Sequence, residues 1–403
     1  MSKSRITRRD FLTASATTVA GGVVASCAAP DVNLANGDQQ PIKLAAMVEP
    51  FAGDHQAGVT TPGQAHLNLV AFTLRPEVDR KRVIQLMKLW TEDARRLTSG
   101  ETPLGDLEPE LTMAPSKLTI TCGFGARLFE IIGEDVPDFV KPIKAFKRDK
   151  LNPQWGEADV VLQFCSDDPM ALAHATRHMI RAGIDYVATR WMQQGFLHAY
   201  GAKTTSDTPR NLFGQVDGTI NPHTEEKQRE QVWIDNGPEW AINGSVMVVR
   251  RISMNLDTWE ILDRPSREVS MGRRLDNGAP LTGNEEFDTP DFDKTDEFGL
   301  PVIDRQSHIA RATAPKDHPE QRLLRRAYNY DIPVEPGSEQ TSNSGLVFVC
   351  FQKDPRKQFE PIQERLDEQD RLNQWIEHIG SAVFFIPPGV TETSYWGAGL
   401  LEK

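Results

Sequence analysis

Cysteine is scarce, with four residues in a chain of 403. One of them, Cys27, closes an N-terminal apolar run, and the remaining three cannot make a complete disulfide set. Cys122, Cys165 and Cys350 each lie inside an apolar, strand-like run, ending respectively Leu118-Thr-Ile-Thr-Cys, Val160-Val-Leu-Gln-Phe-Cys and Leu346-Val-Phe-Val-Cys. That setting predicts buried free thiols. No Cys-x-x-Cys spacing occurs, which argues against a structural zinc site. Positive charge is also in deficit: 45 Lys and Arg against 57 Asp and Glu give a net charge of −12. Residues 1–26 carry four cations and one anion, so the remainder stands at −15. A body this acidic argues against nucleic acid or an anionic lipid surface as partner.

The N-terminus reads as an address rather than as part of the fold. Thr7-Arg8-Arg9-Asp10-Phe11-Leu12 is a twin-arginine pattern, followed by a run of Ala, Thr, Gly and Val through Val24. That run is too short and too rich in small residues to stay in a bilayer as a helix. Residues 1–27 therefore resemble a Tat signal, which directs an already folded protein to the periplasm or the outer side of the cytoplasmic membrane. Val24-Ala25-Ser26-Cys27 resembles a lipobox, with Cys27 as a lipid anchor; cleavage near Ala28 or Ala29, giving a free product, is the rival.

Past the signal, residues 28–60 are polar and rich in Gly, Pro and Asn, and read as a tether. Two folded domains are expected, at 61–205 and 206–403, divided near Gly201–Pro209. In the first, the strand His66–Leu74 precedes a helix with Val83, Met87, Trp90, Ala94 and Leu97 at helical intervals. Strands near Lys117–Gly123 and Asp159–Cys165, a helix opened by Asp168-Pro169, and a strand over Tyr186–Gln193 complete the order β-α-β-β-α-β, that of a ferredoxin-like unit. The second half repeats it with Ser245–Met254, a helix from Thr258, the strand Gly345–Gln352, a long helix from Pro355 reaching Ile379, and a closing strand Ser381–Ile386. A long insertion fills roughly 263–344, and its acidic part reads as a solvated loop. The class is α+β, with duplicated ferredoxin-like domains and antiparallel sheets.

Chemistry concentrates in three places. Asn211-Leu-Phe-Gly-Gln-Val-Asp-Gly-Thr-Ile-Asn-Pro222 sets one carboxylate, Asp217, between Gly214 and Gly218. Taken alone it reads as a surface Asp-Gly turn. Of nine histidines, His174, His178 and His378 fall on polar stretches of expected helices, and most others lie near loops. His308 stands apart, because the cationic pair Arg325-Arg326 follows it in the chain.

Gly214-x-x-Asp217-Gly218-Thr219, His308-Ile-Ala-Arg311 and Leu324-Arg325-Arg326 resemble, in order, the motifs of the dye-decolourising peroxidases, haem enzymes built from two ferredoxin-like domains. Asn211-Leu-Phe-Gly214, Val249–Asn255, Met271-Gly-Arg-Arg274 and Phe385-Ile-Pro-Pro-Gly389 extend the similarity over about 65–400. The Tat signal matches the exported branch, which includes the peroxidase, or deferrochelatase, encoded with ferrous-iron uptake systems.

The resemblance implies haem b in the C-terminal domain with His308 as proximal ligand to the iron. It places Asp217 and an arginine on the distal side as catalytic groups, and Gly218, Thr219, Arg325 and Arg326 against the cofactor. Arg325 is the more natural match for the distal arginine and Arg326 the fallback; Ala327 departs from the family, which has glycine there. The partners implied are hydrogen peroxide and a bulky organic donor, dye-like or phenolic, and a homo-oligomer stays open. Asp367 or Asp370 would hold the proximal imidazole. Trp375, Trp396, Tyr328 and Tyr330 are the aromatics available to relay electrons, with core packing the alternative for each. An aspartate acting where other peroxidases use histidine implies an acid-shifted optimum. Two rival readings are an envelope iron-acquisition protein that binds haem and releases or oxidises iron, and an acidic surface lipoprotein that binds a small ligand without catalysis.

Overall fold

The apolar runs of the strands are continuous because both faces of each sheet are covered. In β1 (His66–Leu74), Leu67, Leu69 and Ala71 point to one apolar cluster, and Val70, Phe72 and Leu74 to another. A computed structural model describes residues 44–204 and 207–403. The expected signal peptide, with Cys27, and the first part of the tether lie outside the described residues.

The first half contains β1, α1 (Arg80–Ser99), β2 (Thr119–Phe124), α2 (Ala126–Ile131), β3 (Val160–Ser166), α3 (Pro169–Ala182) and β4 (Val187–Phe196). Its strands lie in the order β2-β3-β1-β4, all antiparallel. The helices are set by their ends: Asp79 and Asp168 accept hydrogen bonds from the first turns of α1 and α3, and Gly100 closes α1 at φ 80°.

The second half contains α4 (Glu225–Gln231), β5 (Ser245–Met254), α5 (Leu256–Trp259), α6 (Arg264–Met271) and α7 (His308–Ala312), then β6 (Leu324–Arg325), β7 (Tyr328–Ile332), β8 (Asn343–Gln352), α8 (Phe359–Gln369), β9 (Ile376–Ile386) and α9 (Ala398–Leu401). β9 and β8 flank β5, and β6 and β7 both pair with β8. With β6 and β7 counted as one broken strand, the order repeats that of the first sheet. Bridges Phe124↔Phe385 and Phe196↔Asn329 join the two sheets at both edges into a closed ring. Met247, Val249, Val347, Val349, Phe351, Ala382 and Phe384 meet Leu67, Leu69 and Ala71 inside it, while the opposite faces pack under helices. The three described thiols are buried and free, and among the described residues no helix is long and apolar enough to cross a membrane.

Three expectations change. The insertion is part of the fold, since it carries β6 and β7, the second strand of the second unit. The helix expected to reach Ile379 stops at Gln369, because Asp370 leaves the helix with extended backbone and accepts from Leu372 N at 2.9 Å; a 3₁₀ turn and β9 follow. The tether ends early. Phe51 packs against Trp396, His55 stacks on Trp233 at 3.7 Å, and buried Gln56 bridges Cys122 and Pro387 through its amide.

His378 illustrates the second change: it lies on β9, buried, with Arg250 nearby. Burial, and next the Arg250 charge, push its imidazole down from 6.5 to about 3. Between these values the unfolded chain takes up the proton and the folded chain does not. The contribution to stability is therefore complete above pH 6.5 and is lost as pH falls towards 3. Replacement of His378 by Gln is expected to flatten this limb of the stability–pH curve by about 2 kcal/mol at about pH 5, measured by urea unfolding.

Candidate active site

The stretch 211–222 is two turns around one carboxylate. Asn211 Oδ1 accepts from Phe213 N and Gln215 N, Gly214 takes φ 80°, and Arg210 then pairs with Val216 as an antiparallel bridge. Gly218, at φ 124°, opens the second turn, where Asn221 N donates to its carbonyl at 2.9 Å. A side chain at either glycine would be strained. Arg210 holds the first turn from outside through the carbonyls of Gly214 and Leu275, at 2.7 and 2.6 Å.

Asp217 emerges between the turns with its side chain 9% exposed. Its Oδ1 accepts from Arg325 Nη2 at 2.6 Å and its Oδ2 from Asn211 Nδ2 at 3.2 Å. Arg325 is fixed at its backbone as well. Asn221 accepts from Arg325 N and donates to Arg325 O, at 2.9 and 2.8 Å, while β6 pairs Arg325 with Cys350. The guanidinium lies 5.0 Å over the Phe348 ring, and its buried Nε has no hydrogen-bond partner among the described residues. A small recess of about 10 Å³, room for about one water, is lined by Asp217 with Leu197, Pro209, Arg210, Asn211, Ala327, Asn329 and Leu346.

Arg326 points the other way, as the next residue along extended backbone must. Its guanidinium donates to the Thr61 carbonyl and to Gln64 Oε1, and so ties the second sheet to the segment before β1. It does not reach Asp217. Thr219 is likewise engaged elsewhere: its hydroxyl and that of Thr208 both donate to Glu286 Oε1, at 2.9 and 2.6 Å. Glu286 belongs to the acidic insertion, so that segment is anchored here rather than merely solvated.

A second pair lies at the start of α7. His308 Nδ1 meets Asp370 Oδ2 at 2.6 Å, with the Asp370 side chain 1% exposed and that of His308 19%. The other carboxylate oxygen of Asp370 accepts from Leu372 N, so the aspartate is held at both ends. Asp367 takes the Lys147 and Arg148 amides instead. His308 Nε2 has no hydrogen bond among the described residues. Gly272, which ends α6 at φ 87°, packs against this turn: a Cβ there would meet Ile309 Cγ1 at 2.7 Å and Ser307 Oγ at 2.9 Å. Tyr328, Tyr330 and Trp396 are buried in the cores, whereas Trp375 is partly exposed against Trp259.

Comparison with known proteins decides what this arrangement belongs to. Residues 56–197 match the model of the Dyp-type peroxidase N-terminal domain, and residues 208–391 that of its C-terminal domain. The chain is a member of the Dyp-type peroxidase family. A dye-decolorizing peroxidase of Thermobifida fusca is 35% identical, over 90% of this chain and 87% of its own. A deferrochelatase of Yersinia pestis is also 35% identical, over 94% and 89%. The crystal structure of a DyP-type peroxidase from Cellulomonas bogoriensis superposes with a TM-score of 0.86 at 44% identity, covering 90% of this chain and all of that one.

For a Dyp-type peroxidase the residues that sequence reasoning missed are instructive. The sequence assigns no role to Asn221 within its turn, places Glu286 among solvated acids, and shows Gly272 only as part of Met271-Gly-Arg-Arg274. Asn is at home in turns because its side chain bonds nearby backbone, but the partner of Asn221 is 104 residues away, which no local pattern shows. Arg326→Ala is expected to lower unfolding stability by about 2 kcal/mol, because it leaves the Thr61 carbonyl and the Gln64 amide unpaired at a buried junction. A shifted urea midpoint with unchanged denaturant slope is the readout.

Proposed function

We propose that this Dyp-type peroxidase binds haem on the second sheet unit, with His308 as the axial ligand, and reduces hydrogen peroxide with the help of Asp217 and Arg325. The observation that carries the reading is the state of the two pairs. An axial imidazole needs one nitrogen bare and the other fixed by a hydrogen bond, which is how Asp370 leaves His308. Haem, when bound, would supply the iron centre that takes up the peroxide's two oxidising equivalents, and an organic donor would return the two electrons.

The chain's own residues do the proton and charge work. Asp217 Oδ2 is the carboxylate oxygen not engaged by Arg325, and it takes the proton from the inner peroxide oxygen and returns it to the outer one, which leaves as water. Arg325 keeps its charge at every working pH, and its fixed donors stabilise negative charge on the departing oxygen. The hydrogen bond from Asn211 and the double clamp from Asn221 fix the geometry of both groups before peroxide arrives. Asp370, held by Leu372 N, keeps the His308 ring in one orientation and one tautomer.

The twin-arginine run Thr7–Leu12 supports export by the Tat pathway after folding, and Val24–Cys27 supports a lipid tether on the outer side of the cytoplasmic membrane. Bulky, dye-like or phenolic donors fit the reading if they are met at the surface: Tyr328, Tyr330 and Trp396 lie in the cores, and Trp375 is the partly exposed aromatic of the four. A second reading, removal of iron from haem, is favoured by the relative of Yersinia pestis named deferrochelatase, whose identity to this chain, 35%, equals that of the relative named peroxidase.

His308→Ala is expected to abolish stable haem binding, seen as loss of the Soret band; retention of a normal five-coordinate spectrum would refute the ligand assignment. Asp217→Asn and Arg325→Leu should each keep the haem and slow its reaction with peroxide by about 10²–10⁴-fold. Wild-type rates in both would remove them from the mechanism. The second reading is separated by incubating the haem-loaded protein with a reductant and no peroxide: fluorescent, metal-free porphyrin should not accumulate, and its appearance would favour iron removal.

A further inference from the structure

His174 and His178 stand one turn apart on α3 and are 2% and 4% exposed. Sequence analysis put them on a polar helix face, whereas the structure buries them against α1 and the loop that follows it. His174 Nε2 lies 2.6 Å from Asp106 Oδ2, and His178 Nε2 lies 2.9 Å from Asp93 Oδ2 on α1. With the ring protons given to these carboxylates, each Nδ1 presents a lone pair, and neither has a hydrogen-bond partner among the described residues.

Further carboxylate oxygens lie near both Nδ1 atoms. His178 Nδ1 is 4.0 Å from Asp106 Oδ2, and His174 Nδ1 is 3.6 Å from Glu108 Oε2. A lone pair close to a carboxylate oxygen repels it unless a cation lies between them. Asp106, Glu108 and His174 each offer one ligand atom, and these atoms lie within 4.8 Å of one another. The loop is shaped around the same carboxylate, because Asp106 Oδ1 accepts from Glu108 N at 3.0 Å.

We propose that Asp106, Glu108 and His174, with His178 beside them, bind one divalent transition-metal ion of the zinc class. Mixed imidazole and carboxylate donors suit such an ion better than calcium or magnesium, which take oxygen ligands. The ion ties the segment between α1 and β2 to α3, and its role is structural, since among the described residues no hydrogen bond or ion pair joins this cluster to Asp217 or His308. Glu108, with its side chain 54% exposed, gives the ion a way in from solvent. Asp93 holds the His178 ring through its Nε2 and is a positioning residue, not a ligand.

The test uses the untagged, haem-loaded protein, stripped by a chelator that leaves haem in place and titrated calorimetrically with zinc. One equivalent should bind at a single site and raise the unfolding temperature. Glu108→Gln, at an exposed position that the fold does not depend on, should weaken binding roughly tenfold, and Asp93→Asn roughly 10–100-fold. His178→Gln should weaken it as well, and none of the three should alter the rate with peroxide. Absence of stoichiometric zinc, weak binding at many surface sites, or unchanged affinity in Glu108→Gln would overturn the proposal. The Glu108 variant decides the matter if the buried ones fail to fold.

Discussion

The contact on which the site depends is the ion pair between Asp217 and Arg325, made across 108 residues of chain. Neither partner could hold its place alone. A carboxylate and a guanidinium taken out of water each lose hydration, and the loss is offset only where geometry is good and the remaining polar atoms find partners. Here Asn211 supplies a second donor to the carboxylate, and Asn221 fixes the arginine backbone at both its N–H and its carbonyl. The Arg325 Nε stays without a partner among the described residues, and Asp217 lines the small recess.

The sheets make that contact unavoidable. β6 is only two residues long, yet it sets Leu324 and Arg325 against Phe351 and Cys350 on β8. Alternation then sends Arg325 to the helix-covered face and Arg326 to the junction with the first unit. Adjacent arginines of identical chemistry therefore acquire unrelated work: one completes a polar site, the other joins domains. A closed ring of two four-stranded units, with one core inside and helices outside, gives both arginines a rigid base.

Much of this was legible in the sequence, for reasons that differ by residue. The strands are long apolar runs covered on both faces, so β1, β5 and β8 were readable to within a residue or two. Gly214 and Gly218 marked turns because positive φ admits little else. The helix overrun at 370–379 had a physical cause: Leu372, Ile376 and Ile379 keep helical spacing by chance, and only the side chain of Asp370, turned back onto Leu372 N and His308, breaks the helix. The choice between Asp367 and Asp370, and that between Arg325 and Arg326, needed the fold. Each is a question of which way one residue faces, and a single register step reverses it. The buried histidines of α3 were misread because their partners, Asp93 and Asp106, come from segments distant in the chain.

The central claim is that Asp217 and Arg325 act as one unit on peroxide. A double-substitution cycle tests it: the bimolecular rate constant for peroxide is measured by stopped flow for the haem-loaded wild type, Asp217→Asn, Arg325→Leu and the double variant. The account predicts strong non-additivity, with the double variant about as slow as the slower single one and a coupling of roughly 3 kcal/mol or more. Rate losses that simply multiply would show two independent residues and contradict it.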